Sequence, residues 1–484
     1  MAELVVASNR GPVQFEVDDD GKLTSGRGAG GMVAALGPAL AGQAGTWVAA
    51  AISEGDRVAA RRVARSGRLR TVDLAQGIVR LRSLVVDPRA YQRYYNRVSN
   101  RTIWFLQHYL FDVPRHPRFD HSFQVAWRDY QDVNQAFAAA CDDEADHGAE
   151  VFVQDYHLAL TPAMLRARRP DLRIAHFTHC PWADPGYYAM LPGRVAAALL
   201  EGMLGADLLG FLVPRWARNF LRCCQDAGHR VDRDRGAVLT ADGRTVLVRT
   251  YPLGVDGDDL RRRIAMPDAQ AQLRTVTELA RGRSMIVRVD RMELSKNILR
   301  GLEGYGLFLE RNPRVRGRVV HYALAYASRR DLPEYQAYTA EVKHAAEAIN
   351  ERFRSRTWEP VLLELKDNYP KALAAMAVAD VLLVNPVWDG MNLVAKEGPA
   401  VSRRDLALIL SRNAGAADDL GPGALLVNPF DTAELAEAIA TALTMPADER
   451  AKRAALLRES ATALPPQDWF SAQREHLAAH RPQG

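Results

Sequence analysis

Short apolar runs of strand length recur along the chain, separated by stretches in which apolar positions follow helical spacing. In the first half they are LVVAS (4–8), TWVAAAI (46–52), VFVQDY (151–156), IAHFTHC (174–180) and LLGFLV (208–213). After a break come MIVRVD (285–290), VVHYALAY (319–326), PVLLEL (360–365), VLLVNP (381–386), LALILS (406–411) and ALLVNP (424–429). Runs that are apolar throughout, not at alternate positions, predict strands buried on both faces, hence parallel sheets covered by helices. The expected fold class is α/β, with two doubly wound Rossmann-like domains. The break near 253–283 holds LGVDGDDLRRR and TELARGRS, both polar and turn-rich, and the boundary is placed after Tyr251-Pro252-Leu253-Gly254. Three segments are therefore expected: 1–253, 254–462, and a final helix over 463–484 whose Trp469 and Phe470 dock back on the first domain. The pentad LLVNP occurs at 382–386 and 425–429, which reads as two similar strand ends in one sheet. Ligands of such sheets bind just past the carboxyl ends of the strands, so the chemistry is expected there, in the cleft between two facing domains.

A length of 484 residues suits two such domains, and 48% apolar with 25% charged residues is ordinary for a soluble globular chain. The net charge of +5 is small, and no basic block or basic-aromatic stripe stands out, which argues against nucleic acid as a partner. A local positive pocket for phosphorylated small molecules fits the same totals. Cys141, Cys180 and the adjacent pair Cys223 and Cys224 lack metal-ligand spacing, and a vicinal pair is poor disulfide geometry. Reduced thiols in a cytoplasm are the simplest reading. The start MAELVVASNRGP is a strand and a turn, not a signal peptide. The apolar stretch 195–213 is broken by Glu201, Asp207 and three glycines, so no membrane span is expected. Oligomeric state is unreadable, and a homo-oligomer is allowed.

Candidate chemistry follows the strands. Arg10 just past the first run suits bidentate phosphate binding, and equally a surface turn. The stretch GRGAGGMVAAL (26–36) lets backbone approach an anion at Gly30 and Gly31, but it is not a full dinucleotide fingerprint and also suits a plain loop. VQDYHLAL places Asp155 and His157 after a strand, and FTHCPW does the same with His179; each also suits a satisfied core group. No metal is implied, since His157 and His179 lack companions at ligand spacing. YYNRVSNRTIW (94–104) offers Tyr95 and Trp104 as a sugar-stacking wall, or as core aromatics of an amphipathic helix.

In VRVDRMELSKN (287–297), Arg291 and Lys296 form a cationic pair able to neutralise a diphosphate leaving group without a metal. ASRRD (327–331) adds Arg329 and its neighbour Arg330 as a second phosphate clamp. In VNPVWDGMNLVAKE (384–397), a helix beginning near Gly390 makes an anion site of its free N–H groups beside Asp389. Glu397 then lies ~12 Å further along the axis at about 1.5 Å per residue, the reach from a pyrophosphate to a ribose. The same pattern suits a capped helix with one solvated glutamate.

Together DGMNLVAKE (389–397), VDRMELSKN (289–297), QDYHL (154–158), YYNRVSNRTIW (94–104) and SNRGP (8–12) occur in an order that resembles the trehalose-6-phosphate synthase family of retaining glycosyltransferases. The likeness runs over almost the whole chain and implies the two-domain GT-B fold. It implies that Arg10 and Arg329 hold the phosphate of glucose 6-phosphate, with Tyr95 and Trp104 as acceptor-pocket aromatics. Gly31, closing Ala29-Gly30-Gly31, would face the donor diphosphate, and Asp155 and His179 would bind sugar. Arg291 and Lys296 match the diphosphate pair, Asp389 a contact to donor hydroxyls, and Glu397 the ribose clamp. Gly390, Met391, Asn392, Leu393 and Val394 form the backbone cradle between them, and Leu365 lies near the base through its backbone. Two departures stand out. The family's Trp-x-x-Trp reads Trp47-Val48-Ala49-Ala50 here, which leaves room for an acceptor other than plain glucose 6-phosphate, and the histidine motif reads HCPW.

The implied reaction is glucose transfer, with retention, from a UDP-, GDP- or ADP-glucose to glucose 6-phosphate. No metal and no cofactor beyond that nucleotide-sugar co-substrate are implied. Two other readings stay in view: a pseudo-glycosyltransferase coupling a cyclitol nucleotide to an aminocyclitol phosphate, and a non-catalytic sugar-phosphate sensor. The intact acceptor and diphosphate residue sets favour the synthase.

Overall fold

Strand β1 (Ala2–Ser8) is buried from Leu4 onward, the environment its unbroken apolar sequence requires. In the computed structural model, residues 1–480 are described except 19, 21, 28–35, 38–44, 67–68, 74–77 and 330–331. The chain forms two units, one of Met1–Pro252 with Pro466–Gly484, the other of Leu253–Pro465.

The first unit carries an antiparallel hairpin, β2 (Val13–Val17) with β3 (Leu23–Arg27). Among the described residues its main sheet has ten strands. They are β1, β4 (Thr46–Ala50), β5 (Arg70–Asp73), β6 (Ile78–Leu84), β7 (Ala145–Gln154), β8 (Arg173–Thr178), β9 (Leu208–Phe211), β10 (Arg230–Asp232), β11 (Ala237–Leu239) and β12 (Thr245–Thr250). The order is β10-β11-β12-β9-β8-β7-β1-β4-β6-β5, parallel from β12 to β6 and antiparallel at both edges. The chain builds outward from β1 through β4 and β6, then returns to the other side of β1 with β7. The order reverses between β1 and β7, and such a reversal leaves a crevice at the carboxyl ends of the two strands.

The second sheet has six strands, all parallel: β13 (Ser284–Met292), β14 (Val319–Ala327), β15 (Val361–Glu364), β16 (Val381–Val384), β17 (Ala407–Ser411) and β18 (Leu425–Val427). Its order, β15-β14-β13-β16-β17-β18, reverses between β13 and β16. Ile286, Val381, Leu383 and Ile409 of the sheet pack against Ile298, Leu302, Tyr305 and Ile439 of covering helices. The two LLVNP pentads end β16 and β18 of this one sheet. The segment 253–283, expected to be a turn-rich break, is instead two helices, Gly257–Ala265 and Pro267–Ala280. Its charged residues occupy the outer faces, while Leu260, Ile264, Ala269 and Val276 are buried. A polar composition misled because one buried stripe suffices for a surface helix.

Helix Ala447–Thr462 belongs to the second unit and helix Pro466–Ala479 to the first. In the first unit, the Trp469 ring meets Phe177 edge-on at 4.8 Å and His179 at 5.9 Å, and Phe470 packs on Phe152 at 4.7 Å. Among the described residues no helix is long and apolar enough to cross a membrane. Trp469 is 1% exposed. Trp469→Ala is therefore expected to destabilise the first unit by about 3–5 kcal/mol, seen as a lower urea midpoint for the transition reported by near-ultraviolet signal.

Candidate active site

The crevice of the first sheet gathers Arg10 and Asp155, which follow β1 and β7. Asn9 anchors the turn after β1, since its side chain is bonded to the hydroxyls of Tyr91 (3.1 Å) and Tyr94 (3.2 Å). Arg10 is exposed and donates to the Tyr95 hydroxyl at 3.3 Å. Tyr95 and Trp104 lie on a helical run whose stretch Arg93–Trp104 is wound as a π-helix. At about 3.6 residues per turn, nine residues make about 2.5 turns and would set the two rings on opposite sides. The wider π winding, with its i→i+5 bonds, brings nine residues close to two whole turns and sets both rings on one side. Tyr95 accordingly stacks on His157 at 5.7 Å, His157 on Tyr156 at 4.0 Å, and Trp104 meets Tyr156 at 5.8 Å and His108 at 3.7 Å. Tyr94, Val98 and Ile103 of the same run point into the core.

Asp155 has φ 70° and ψ 168°, a region nearly reserved for glycine, which costs about 1–3 kcal/mol in a residue with a side chain. Its backbone N–H reaches Phe177 O (2.7 Å), and its carboxylate accepts the His179 N–H (3.1 Å). The His179 ring is bonded through Nε2 to Gln154 Oε1 at 2.9 Å. Burial, with a smaller contribution from His176, pushes the His179 imidazole down to about 3, so the ring is neutral at neutral pH. Trp47 is a core residue bonded to Ser8 Oγ (2.7 Å), and Ala50 donates its N–H to Asn9 O (3.2 Å). Gly30 and Gly31 lie outside the described residues. Cys180, beside His179, is buried, and burial pushes the Cys141 and Cys223 thiols up to about 12.

In the second unit the reversal between β13 and β16 is bridged by charge. Lys296, on the turn after β13, pairs with Asp389, after β16, at 2.6 Å. Both side chains are only 13–14% exposed. Burial alone would push the Lys296 ammonium down, but Asp389 and Asp290 outweigh it and hold its pKa above the ordinary value. Beneath this pair Arg288 is fully buried, ion-paired to Asp290 (2.7 Å) and donating to Lys296 O (2.8 Å) and Asn385 Oδ1 (2.6 Å). Asn297 ties the two LLVNP ends together by donating to Asn385 O (3.0 Å) and Pro429 O (2.7 Å). Arg291 lies 2.8 Å from Glu293 Oε1, and Arg329, at φ 45°, lies 3.6 Å from Glu293 Oε2. The Arg329 guanidinium also covers the Tyr335 ring at 5.4 Å. Arg330 lies outside the described residues.

The helix expected from Gly390 begins instead at Val394 and runs to Val401. Asn392 is in the left-handed region (φ 73°), and the chain before it is pinned to the loop after β17: Gly415 N–H to Asp389 O (3.1 Å) and Ala416 N–H to Met391 O (2.8 Å). A Cβ at Gly415 would stand 1.9 Å from Gly390 O, so only glycine permits this approach. Gly390, Met391, Asn392 and Leu393 therefore form a loop, and the axial spacing argued for one continuous helix does not apply. Glu397 lies in the first turn of the shorter helix. Leu365 is half-buried in the loop after β15.

The residues that sequence reasoning passed over are Glu293, Arg288, Asp290, Asn385 and Gln154. A signal was present: MIVRVD carries two charges inside an otherwise apolar strand, and a buried charge requires a partner. Among the described residues no group of three or more His, Cys, Asp or Glu is arranged to hold a metal.

Burial, only partly offset by Arg263, pushes the Glu397 carboxyl up to about 7 from 4.5. Between those values the folded protein holds a proton that the unfolded chain has lost, so stability falls as pH rises through that window. Glu397→Gln is expected to raise the urea midpoint at about pH 8 and to leave it nearly unchanged at about pH 5.

Residues 2–479 match the model of glycosyltransferase family 20. The trehalose-6-phosphate synthase of Mycobacterium tuberculosis is 34% identical over 495 residues, which cover 100% of this chain and 96% of that one. The UDP-forming α,α-trehalose-phosphate synthase 1 of Arabidopsis thaliana is 33% identical over 93% of this chain, which spans only 47% of that longer protein. A solved E. coli structure bound with UDP-2-fluoro glucose superposes with a TM-score of 0.85 at 27% identity, covering 99% of this chain and 100% of that one. The fold is that of the GT-B glycosyltransferases. With its family match running from β1 into the last helix, the chain belongs to glycosyltransferase family 20.

Proposed function

We propose that this protein is an α,α-trehalose-6-phosphate synthase that transfers glucose, with retention, from UDP-glucose to the anomeric hydroxyl of glucose 6-phosphate. The observation that carries the reading is the Lys296–Asp389 pair across the β13–β16 reversal, with Arg291 and the Gly390–Leu393 loop close to it in the chain. A diphosphate leaving group needs fixed positive charge where its own charge develops, and Lys296 and Arg291 supply it from a strand end already braced by Arg288. Asp389, released from Lys296 when a diphosphate takes its place, can accept hydroxyls of the transferred glucose. Glu397 takes the ribose hydroxyls. The relatives' UDP-forming names and the UDP-2-fluoro glucose complex of the E. coli protein support UDP over GDP or ADP.

On the acceptor side, Tyr95, Trp104 and the stacked Tyr156–His157 pair offer an aromatic wall for a sugar, with Arg10 and Arg329 assigned to its phosphate. Asp155 and neutral His179 can exchange hydrogen bonds with sugar hydroxyls without adding a net positive charge. In the step proposed, the bond from glucose C1 to the diphosphate oxygen breaks and the acceptor's anomeric oxygen bonds to C1 on the same face. The acceptor's proton passes to the departing phosphate, and UDP leaves. The charge stabilisation is assigned to side chains and loop amides, with no metal ion and no cofactor besides the co-substrate.

The first test is a mass-resolved assay of UDP-, GDP- and ADP-glucose with glucose 6-phosphate. Formation of trehalose 6-phosphate, fastest with UDP-glucose, is expected; a protein that binds glucose 6-phosphate but turns over no donor would be a sensor instead. Lys296→Ala is expected to lower kcat by about 10²–10³-fold with intact folding, and wild-type turnover would remove its leaving-group role. EDTA is expected to leave activity in place, and a complete, metal-restorable loss would contradict the side-chain mechanism. The ribose clamp requires ionised Glu397, so the donor KM is expected to rise below about pH 7, by at most about tenfold per pH unit, and Glu397→Gln to lose that dependence.

A further inference from the structure

Glu293 stands between two arginines to which the proposed function gives different substrates, and its side chain is 0% exposed. Its Oε1 lies 2.8 Å from Arg291 Nη1 and accepts the Ser328 hydroxyl at 3.1 Å, while its Oε2 lies 3.6 Å from Arg329 Nη1. Its backbone is equally engaged. The Glu293 N–H donates to Arg291 O (2.7 Å), and its carbonyl accepts the Lys296 N–H (3.0 Å), closing the turn that carries Lys296. One residue thus touches the supports of three cations.

We propose that Glu293 is a positioning residue that sets Arg291 for the donor's diphosphate and Arg329 for the acceptor's phosphate, so that one carboxylate aligns both substrates' phosphate ligands. This rests on the substrate assignment of the two arginines made above. A guanidinium has five N–H donors in a fixed fork, so the carboxylate that holds one edge sets the direction in which the group meets a phosphate. Two guanidiniums that converge on one region repel each other until an anion lies between them. Before substrates arrive Glu293 is that anion, and in its buried place water is a poor substitute. Arg329 is also held at φ 45°, a backbone conformation unusual for a residue with a side chain, which requires support from its surroundings.

The test is steady-state kinetics of Glu293→Gln, Arg291→Ala, Arg329→Ala and the double variants, with thermal melts as a check on folding. Glu293→Gln is expected to raise the KM of both substrates by about tenfold or more, since it removes a charged hydrogen-bond partner. In the Arg329→Ala background the acceptor KM should respond to Glu293→Gln by less than about twofold while the donor KM still responds fully, and in Arg291→Ala the reverse should hold. Glu293→Asp, which keeps the charge, should recover most of the loss. Equal responses in all backgrounds, or unchanged KM values in a folded Glu293→Gln protein while both arginine variants are impaired, would overturn this inference alone. Wild-type KM values in Arg291→Ala and Arg329→Ala would overturn the arginine assignments and the inference with them. If Glu293→Gln fails to fold, Glu293→Asp carries the same cycles: smaller increases in both KM values, lost selectively in each arginine background, support the inference, and a uniform change overturns it.

Discussion

A parallel sheet that is wound outward in both directions must reverse its order somewhere, and at that reversal no crossover covers the strand ends. Each unit of this protein has one such place, and each fills it with polar residues. In the first unit Arg10 and Asp155 follow the two strands on either side of the reversal, and in the second Lys296 and Asp389 do. The remaining candidate residues are arranged around these two positions. The buried Arg288–Asp290 pair holds the turn of Lys296 from below, and the Asn297 bonds fix the strand ends beside it. An ion pair so deeply buried contributes little net stability, but losing one partner would leave a bare charge in the core. That asymmetry suits a site whose cations must not drift.

Part of the backbone strain falls on the same residues, although Tyr109, Arg281 and Asn297 also have positive φ. Asp155, Arg329 and Asn392 are all at positive φ, and each is a residue to which a substrate contact is assigned. Strain of this kind persists only where surrounding bonds over-determine the conformation. Asp155 is held by Phe177 and His179, Asn392 by the loop after β17, and Arg329 by Tyr335 and Glu293. The aromatic wall is similarly constrained. Its rings share a side because the helix beneath them is wound wide, while Tyr94, Val98 and Ile103 of the same run are buried in the core.

The parallel sheets were legible because strands buried on both faces are mostly apolar, the paired Arg288 and Asp290 of β13 being an exception, and each apolar run read from the sequence overlaps a strand. The strands that were not legible are those partly exposed. IVRLRSL alternates arginine with Val79 and Leu81 and forms β6, and β10 to β12 interleave short apolar pairs with charge. For the site, side-chain chemistry at strand ends could be read, whereas partners could not. Nothing local to Glu293 announces that Arg291 and Arg329 will converge on it, since the contact with Arg329 depends on β13 and β14 being neighbours. The start of the helix at Val394 was equally hidden, because the bonds that delay it come from a loop some twenty-five residues further along the chain.

The last helix gives the first unit a history as well as a shape. Residues 466–479 place Trp469 against Phe177 and His179, yet they are translated only after the whole of the second unit. On the ribosome the second unit can close as soon as it emerges, because its chain is continuous. The first must wait, with the apolar seat for Trp469 and Phe470 uncovered, until the helix that follows the second unit has been made. The imidazole assigned to the sugar thus gains its Trp469 wall only after the whole second unit has left the tunnel. The half of the chemistry that lies later in the sequence can therefore be assembled first, because only its unit is continuous.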